Sequence, residues 1–321
     1  MLLRKERRKS LLILRIIRDK LKCQKETKQS LLNFSYLNKI LKAKGILTII
    51  DFVTSIFINK ILRRFYRLDS SDYGLPETFF HSRDIDRWSR YTYVINEIQK
   101  TKMQHFSILE VGSGGKGISI FLNSLRMNCS IFLLDIRRNV FKNLKVGNPI
   151  IADGCNLPFK DKAFDIVVSV DTIEHVPRSG RHNLYNELKR VCKKRIIITC
   201  PMQSSDGTFQ GKKYDNAFQF LYEKYYGVKE PNTEQHITAG HPTLEEIKSA
   251  LPNSTIRGYK NCDVWLKYML FSCKPFIGYF TGLLYYMFWK RNDNKPPYWG
   301  AIIVSNCMQR KSLTFNNLIK Q

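Results

Sequence analysis

The chain has 321 residues, and its 53 Lys and Arg against 27 Asp and Glu give a formal net charge of +26. A hydrophobic content of 43% is enough for a core, which excludes a chain that is disordered throughout. So basic a charge favours an anionic partner: nucleic acid, an anionic membrane surface or an acidic substrate. The first 67 residues hold 18 of the basic and 4 of the acidic residues, so the excess is concentrated there.

The basic N-terminal region does not resemble a secretory signal, because residues 1–18 mix Leu and Ile with Arg and Lys and contain no uninterrupted apolar core. Over residues 31–67, apolar residues recur three or four apart and basic residues fill much of the opposite face. This pattern predicts one or two amphipathic helices. Such a helix either packs on the main domain or lies on anionic lipid, and the sequence leaves both interpretations open.

Eight cysteines are scattered along the chain with no C-x-x-C pair and no regular spacing. That arrangement is typical of reduced thiols, and it favours neither a zinc knuckle nor a disulfide framework. We therefore expect a cytoplasmic protein, with association to a membrane surface left open by the basic N-terminal region.

From Phe106 onward, short apolar runs alternate with helical stretches, a pattern that indicates a parallel sheet with crossover helices. The predicted strands lie at 106–111, 131–135, 149–152, 164–170 and 195–199, with two more near 254–261 and 299–306. Residues 203–242 are polar and aromatic-rich, and we expect them to be irregular. A capping box at Thr243 and Glu246 predicts a helix that ends before Pro252. Together these elements predict a doubly wound α/β domain.

The aromatic segment 264–289 is too short to span a membrane, because only fifteen uncharged residues separate Lys274 from Lys290 and a spanning helix needs roughly 20. Pro275 would also interrupt a helix running through it. An interfacial hairpin, a lid over an apolar pocket and a dimer surface all remain compatible with its composition.

The most informative motif is EVGSGGKG at residues 110–117, directly after the first predicted strand and before the next helix. Its glycines allow a tight turn and let a ligand approach the backbone. The spacing alone also serves NAD and FAD folds, and Asp135 lies 18 residues after Gly117, near a ribose-binding position. Glu110 favours a ligand with a cationic amino-acid group, since a pyrophosphate there would be repelled.

Three further blocks follow in order: ADGCNLPF at 152–159, DKAFDIVV at 161–168 and SVDTIEHVP at 169–177. With the glycine loop, they resemble the class I S-adenosylmethionine-dependent methyltransferases, and most closely the type 11 branch. The resemblance covers roughly residues 105–202. It implies a Rossmann-like sheet of seven strands with the last antiparallel, and S-adenosyl-L-methionine as cofactor.

The resemblance also implies roles for individual residues. Asp135 would bind both ribose hydroxyls with Ile136 against the adenine, and Asp153 would bind the adenine amino group. Asp171 would face the methyl group or the acceptor. The complete implied cofactor site is Glu110, Gly112, Ser113, Gly114, Gly117, Asp135, Ile136, Asp153, Gly154, Cys155 and Asp171.

Asp171, Glu174 and His175 lie on one short segment and are the candidate catalytic residues, Asp171 and His175 first among them. Three interpretations stay open: His175 closes the pocket, His175 is a general base, or the three residues bind a divalent metal. Methyl transfer itself needs little acid–base chemistry, because correct approach of the reactants does most of the work.

The acceptor is expected over the carboxyl ends of the strands, next to the segment that follows Pro201. His236 and His241 are candidates for substrate contacts there. Aromatic residues that either pack or line the acceptor site are Tyr214, Phe218, Phe220, Tyr222, Tyr225 and Tyr226.

These expectations divide the chain into a basic helical extension, a helical lead-in, a methyltransferase domain with two insertions, and a tail. The expected boundaries are 1–67, 68–104, 105–310 with insertions 203–242 and 264–292, and 311–321. The expected function is methylation of a small, lipid-linked or glycan acceptor at a cytoplasmic membrane face. The alternatives are an RNA or protein methyltransferase that uses the basic arm, and a non-catalytic binding protein of the same fold.

Overall fold

The computed structural model describes residues 82–307, apart from 116, 126, 143, 145, 274–280 and 283. The predicted amphipathic helices of residues 31–67 and the tail at 311–321 lie outside the described residues. No helix among the described residues has both the length and the apolar character needed to cross a bilayer.

A seven-stranded mixed sheet forms the centre of the fold, with the strand order β3-β2-β1-β4-β5-β7-β6. β7 runs antiparallel to both of its neighbours, β5 and β6. The predicted doubly wound, Rossmann-like sheet with its last strand antiparallel is therefore confirmed. The strands are β1 (Phe106–Val111), β2 (Cys129–Asp135), β3 (Asn148–Ile151), β4 (Phe164–Val170), β5 (Cys192–Pro201), β6 (Thr255–Asn261) and β7 (Tyr298–Asn306).

The central strands are apolar on both faces because each face is covered by helices. In β1, Ile108 packs into one core cluster and Leu109 into the other. In β4, Ile166 and Val168 join the cluster of Ile108, while Val167 joins that of Leu109. Burial of each such side chain contributes about 1.5–3 kcal/mol, which explains the unbroken apolar runs in the sequence.

The helices that cover the sheet come from several stretches of the chain. A single-turn 3₁₀ helix, Ile173–His175, follows β4, and Tyr285–Trp289 forms a π-helical turn before β7. The α-helices are α1 (Ser82–Gln99), α2 (Ser119–Ser124), α3 (Arg178–Val191), α4 (Gly211–Tyr226), α5 (Pro231–Ala239), α6 (Leu244–Ala250) and α7 (Cys262–Ser272).

The expectation that residues 203–242 are irregular is wrong, because α4 and α5 occupy most of this stretch. Phe218, Tyr222 and Tyr226 are four residues apart, so they share one face of α4 and are buried beside Trp265 and Trp299. α6 begins as predicted at the capping box, where the Thr243 hydroxyl accepts a hydrogen bond from the backbone N–H of Glu246.

The order of the strands reverses between β1 and β4, which pair in parallel with Ile108 opposite Ile166. In a doubly wound sheet, the loops that leave two such strands diverge to opposite faces and open a crevice at their carboxyl ends. The fold thus places the loop after Val111 and the loop after Val170 beside this crevice, at the carboxyl ends of β1 and β4.

Candidate functional site

A cavity of about 690 Å³ opens at this crevice. One side is lined by the loop after β1 and by residues that follow β2 and β3, and the other by Arg90 of α1 and by Asn232 and Gln235 of α5. Predicted residues that line the cavity are Gly112, Ser113, Gly114, Asp135, Ile136, Asp153, Gly154, Cys155, Asp171 and His175.

Glu110 lies behind this cavity, where it holds the glycine loop. It is fully buried, and its carboxylate accepts hydrogen bonds of 2.6 Å from the Tyr91 hydroxyl and 2.6 Å from the backbone N–H of Ile118. A Cβ added at Gly117 would lie 2.0 Å from the carboxylate of Glu110. Any side chain at position 117 would collide with this carboxylate, so glycine is required there, just before α2.

Gly112 joins the ends of three strands. Its φ of +77° is in the left-handed region, and its backbone N–H donates to Leu134 O at 2.8 Å. The Thr172 hydroxyl donates to Gly112 O at 3.2 Å, and a Cβ at Gly112 would lie 2.3 Å from that threonine side chain. Both the backbone conformation and the close approach of the loop after β4 require glycine here.

Asp135 lies at the end of β2, where its carboxylate is already engaged. It accepts from the backbone N–H of Gly114 at 3.0 Å, and from the backbone N–H and Nε of Arg137 at 2.9 and 3.0 Å. Burial alone would raise the pKa of Asp135, but the hydrogen bonds and charge of Arg137 lower it below its ordinary value. The carboxylate is thus an anion fixed at the edge of the cavity.

The adjoining part of the cavity combines an apolar surface with a carboxylate. The Ile136 side chain is 68% exposed and lines the cavity. On the same side of the cavity, Asp153 accepts a hydrogen bond of 2.9 Å from the backbone N–H of Cys155. An aromatic ring with a hydrogen-bond donor on its edge would suit these two groups.

Asp171 ends β4 with a positive φ of 43°, a strained conformation for a residue with a side chain. Its carboxylate forms a 2.9 Å ion pair with Arg90 and accepts hydrogen bonds of 3.1 Å from the hydroxyls of Thr199 and Tyr259. These partners hold Asp171 in place at the cavity wall and neutralise its charge.

Glu174 and His175 lie in the 3₁₀ turn that follows, and both favour their neutral forms. Burial, followed by the charge of Asp171, raises the pKa of the fully buried Glu174 to about 8. Burial, followed by the charge of His236, lowers the pKa of His175 to about 4. His175 lines the cavity, so it presents a neutral imidazole there at neutral pH.

His175 is the first of a chain of contacts into the core. Its Nε2 lies 3.3 Å from Nε2 of His236, whose Nδ1 lies 2.9 Å from the carboxylate of Asp215. The fully buried Asp215 also contacts His241 Nε2 at 2.8 Å and accepts from Trp299 Nε1 at 2.6 Å. Burial would raise the pKa of Asp215, but hydrogen bonds from His236 and His241 lower it. His236 and His241, predicted near the acceptor, therefore share one anionic anchor.

Sequence reasoning missed Asp215, Arg90 and Arg181. The fully buried Arg181 of α3 donates from Nη2 to the backbone oxygens of Ala239, at 3.2 Å, and Gly240, and from Nε to Val176 O at 3.0 Å. It thereby ties the end of α5 to the turn that carries His175. No sequence motif marks these residues, because each acts through a partner distant in the chain.

Residues 109–199 match the family model described as "Methyltransferase domain". These residues are thus similar to the methyltransferases that this family model describes. The match contains the glycine loop, Asp135, Asp153, Asp171 and His175. The predicted relationship to the type 11 methyltransferases is thus confirmed for the central part of the chain.

Two curated relatives each match less than half of this chain. An uncharacterized protein of Methanocaldococcus jannaschii is 33% identical over 126 residues, which are 39% of this chain and 52% of that protein. Squalene methyltransferase 1 of Botryococcus braunii is 24% identical over 158 residues, 48% of this chain and 35% of that protein. The chain thus spans about half or less of these relatives.

Similar solved structures include the PH0226 protein of Pyrococcus horikoshii, with a TM-score of 0.44 and 14% identity over 76% of this chain and 98% of that one. Another is magnesium protoporphyrin IX methyltransferase of Synechocystis with bound S-adenosylhomocysteine. Its TM-score is 0.43, with 11% identity over 78% of this chain and 93% of that one.

Proposed function

We propose that this protein transfers a methyl group from S-adenosylmethionine to a small acceptor held in the same cavity. The observation that carries this proposal is a single cavity of about 690 Å³ with two chemically different sides. One side has the glycine loop and the carboxylates of Asp135 and Asp153, and the other has His175 and the polar side chains of α5. A volume in this range is typical of small-molecule sites.

The residues on the first side fit this cofactor. Asp135 is an anion fixed beside the backbone N–H of Gly114, which suits two adjacent ribose hydroxyls. The exposed side chain of Ile136 would cover one face of the adenine, and Asp153 would accept from its amino group. When bound, S-adenosylmethionine supplies a methyl group already activated by its sulfonium.

The residues on the second side position the acceptor. Because the methyl group is already activated, the chain's main contribution is to align the acceptor atom for in-line approach. Asp171 is fixed by Arg90, Thr199 and Tyr259, so it forms a rigid wall. His175 lines this side with a neutral imidazole, against which the acceptor can pack.

We further propose that the acceptor is lipid-linked or a glycan presented at an anionic membrane surface. Support comes from apolar side chains that are exposed on the π-helical turn, Met287 at 62% and Phe288 at 61%. Lys290 and Arg291 follow them and are exposed, so they can meet anionic headgroups. One curated relative is named squalene methyltransferase 1, which is consistent with an apolar acceptor.

Calorimetric titration with S-adenosylmethionine and S-adenosylhomocysteine tests the cofactor assignment. We expect both to bind the intact protein, and Asp135→Ala to weaken binding at least about tenfold, since a charged hydrogen-bond acceptor is lost. Asp161→Ala is the matched control, because Asp161 is an exposed carboxylate outside the cavity. Absence of binding to the intact protein would contradict the proposal and favour a non-catalytic binding protein.

Transfer of a labelled methyl group tests the acceptor class. Membrane lipid, polysaccharide, RNA and protein fractions are each incubated with the enzyme and labelled S-adenosylmethionine. We expect label in the lipid or polysaccharide fraction. Label confined to RNA or to protein would overturn the acceptor proposal while leaving methyl transfer intact.

A further inference from the structure

Three side chains of the types that bind metal ions lie close together beside the acceptor side of the cavity. Glu174 and His175 come from the turn after β4, and His236 comes from α5. Each offers one ligand atom, and these atoms all lie within 4.8 Å of one another. The group joins an element of the methyltransferase domain to a helix outside the residues that match the family model.

The carboxylate of Glu174 has no hydrogen-bond partner among the described residues, although the side chain is completely buried. An unpaired buried carboxylate is costly whether neutral or charged, and native proteins rarely leave one without a partner. The carboxylate of Glu174 therefore lacks the partner that a bound ion would supply.

The two histidines are spaced and oriented for a shared ion. Their Nε2 atoms are 3.3 Å apart. Two nitrogens bound tetrahedrally at the usual zinc distance of about 2.05 Å would be separated by about 3.3 Å. His236 directs its Nδ1 to Asp215, which leaves Nε2 for the ion. A carboxylate behind a ligating histidine is the arrangement that orients such ligands in metal sites.

Asp215 is itself fixed for this task. Its carboxylate is held by Trp299 Nε1 at 2.6 Å and His241 Nε2 at 2.8 Å, in addition to His236. Asp171, by contrast, is engaged by Arg90, Thr199 and Tyr259. The donor set is therefore different from the predicted trio of Asp171, Glu174 and His175.

We propose that Glu174, His175 and His236 bind a divalent first-row transition metal, for which zinc is the best-fitting ion. Two imidazoles and one carboxylate leave a coordination position open, as in catalytic zinc sites. His175 lines the cavity, so the open position is available to an oxygen atom of the acceptor. This role in holding the acceptor rests on the proposed methyl transfer, whereas the metal site itself does not.

Metal binding is measured on the full chain, without methyl donor, by titration with Co²⁺ followed by visible absorption and by zinc content after dialysis. We expect one equivalent of metal, with His236→Gln and Glu174→Gln each weakening binding at least about tenfold. Asp215→Asn should weaken it about 10- to 100-fold without removing a ligand. His182→Gln is the matched control, because His182 is exposed on α3, and it should bind metal as the intact protein does.

The proposal is overturned if the intact protein binds no metal, or if either His236→Gln or Glu174→Gln binds it as well as the intact protein. Loss in His236→Gln with full binding by Glu174→Gln would assign the ion to Asp215, His236 and His241 instead. It is also overturned if metal is lost only in Cys307→Ser, since Cys307 Sγ lies 2.7 Å from Cys192 Sγ and this pair is an alternative ligand set. Far-ultraviolet circular dichroism on the same samples shows whether each variant is folded. Calorimetry with S-adenosylhomocysteine then reports on the cofactor site separately from the metal site.

Discussion

At the scale of single residues, the carboxylate of Asp135 is hydrogen-bonded within the protein, although it is also the group proposed to bind the ribose of the cofactor. Both of its carboxylate oxygens accept hydrogen bonds from the Arg137 guanidinium, whose side chain is 56% exposed. In the proposed complex, the ribose hydroxyls and the guanidinium would compete for the same oxygens. Cofactor binding should therefore displace Arg137 into solvent, where its charge is well hydrated.

Arg137→Ala is expected to strengthen the binding of S-adenosylhomocysteine about two- to fivefold, because an exposed ion pair of modest strength no longer has to be broken. Calorimetric titration measures the change. Arg138→Ala, at the adjacent exposed position, is the control for the loss of one positive charge. Weaker binding by Arg137→Ala would instead mean that this guanidinium contacts the cofactor.

At the scale of elements, α1 supports the site although it lies outside the residues that match the family model. Its Arg90 pairs with Asp171 and its Tyr91 donates to Glu110. Near the other end of the helix, Glu97 forms ion pairs with Lys100, at 2.6 Å, and with Arg257 of β6. Through these contacts one helix is joined to β1, β4 and β6.

The ion pairs of Glu97 predict a dependence of stability on pH. Burial would raise its pKa, but the hydrogen bonds and charges of Lys100 and Arg257 lower it below the ordinary value. A lowered pKa in the folded state means that the unfolded chain binds the proton more readily in acid. The contribution of Glu97 is thus present above about pH 5 and is lost as the pH falls below its ordinary pKa of about 4.3.

Urea unfolding of Glu97→Gln should show a loss of about 1–2 kcal/mol in the free energy of unfolding at pH 7, given the partly exposed partners. The difference from the intact protein should shrink toward pH 3. Glu223→Gln, an exposed carboxylate on α4, should change little at either pH. A difference that stays constant down to pH 3 would show that Glu97 acts by packing alone.

Local patterns in the sequence predict the sheet well, because each central strand is an apolar run bounded by turn residues. They also contain the signal for α4, since Phe218, Tyr222 and Tyr226 follow a spacing of four that the aromatic, polar composition obscures. The sequence predicts only part of the site, because some of its contacts join segments that are distant in the chain. Asp215 meets His236 only when α4 and α5 pack together, a contact that no local pattern encodes.

At the scale of the whole molecule, the exposed apolar groups that form the proposed membrane surface lie on adjoining elements of the described chain. Phe271 of α7 contacts Trp289 with ring centroids 5.5 Å apart, next to the exposed Met287 and Phe288. α7 in turn adjoins α4, because the Tyr226 hydroxyl donates to Cys273 O at 2.6 Å. Aromatic and basic side chains on adjoining elements are typical of proteins that bind membrane surfaces.

The double variant Met287→Ser, Phe288→Ser is expected to reduce cosedimentation with phosphatidylserine-containing vesicles at least about fivefold, because two apolar side chains no longer enter the lipid. Ile151→Ser is the control, since Ile151 is 50% exposed on β3 at the opposite edge of the sheet. Unchanged sedimentation of the double variant would exclude the π-helical turn from the membrane contact.

The cavity wall formed by α5 can change in evolution independently of the residues proposed to bind the cofactor. This wall belongs to a segment inserted between β5 and β6, whereas the residues proposed to hold the cofactor lie at the ends of β1 to β4 or in the loops that follow them. Substitutions in the insertion can therefore alter which acceptor fits while the methyl donor is retained. Arg181 limits that freedom, because the backbone at Ala239 and Gly240 must still meet its guanidinium. Acceptor selectivity can thus change through substitutions in the inserted segment, while Arg181 keeps the end of α5 in place.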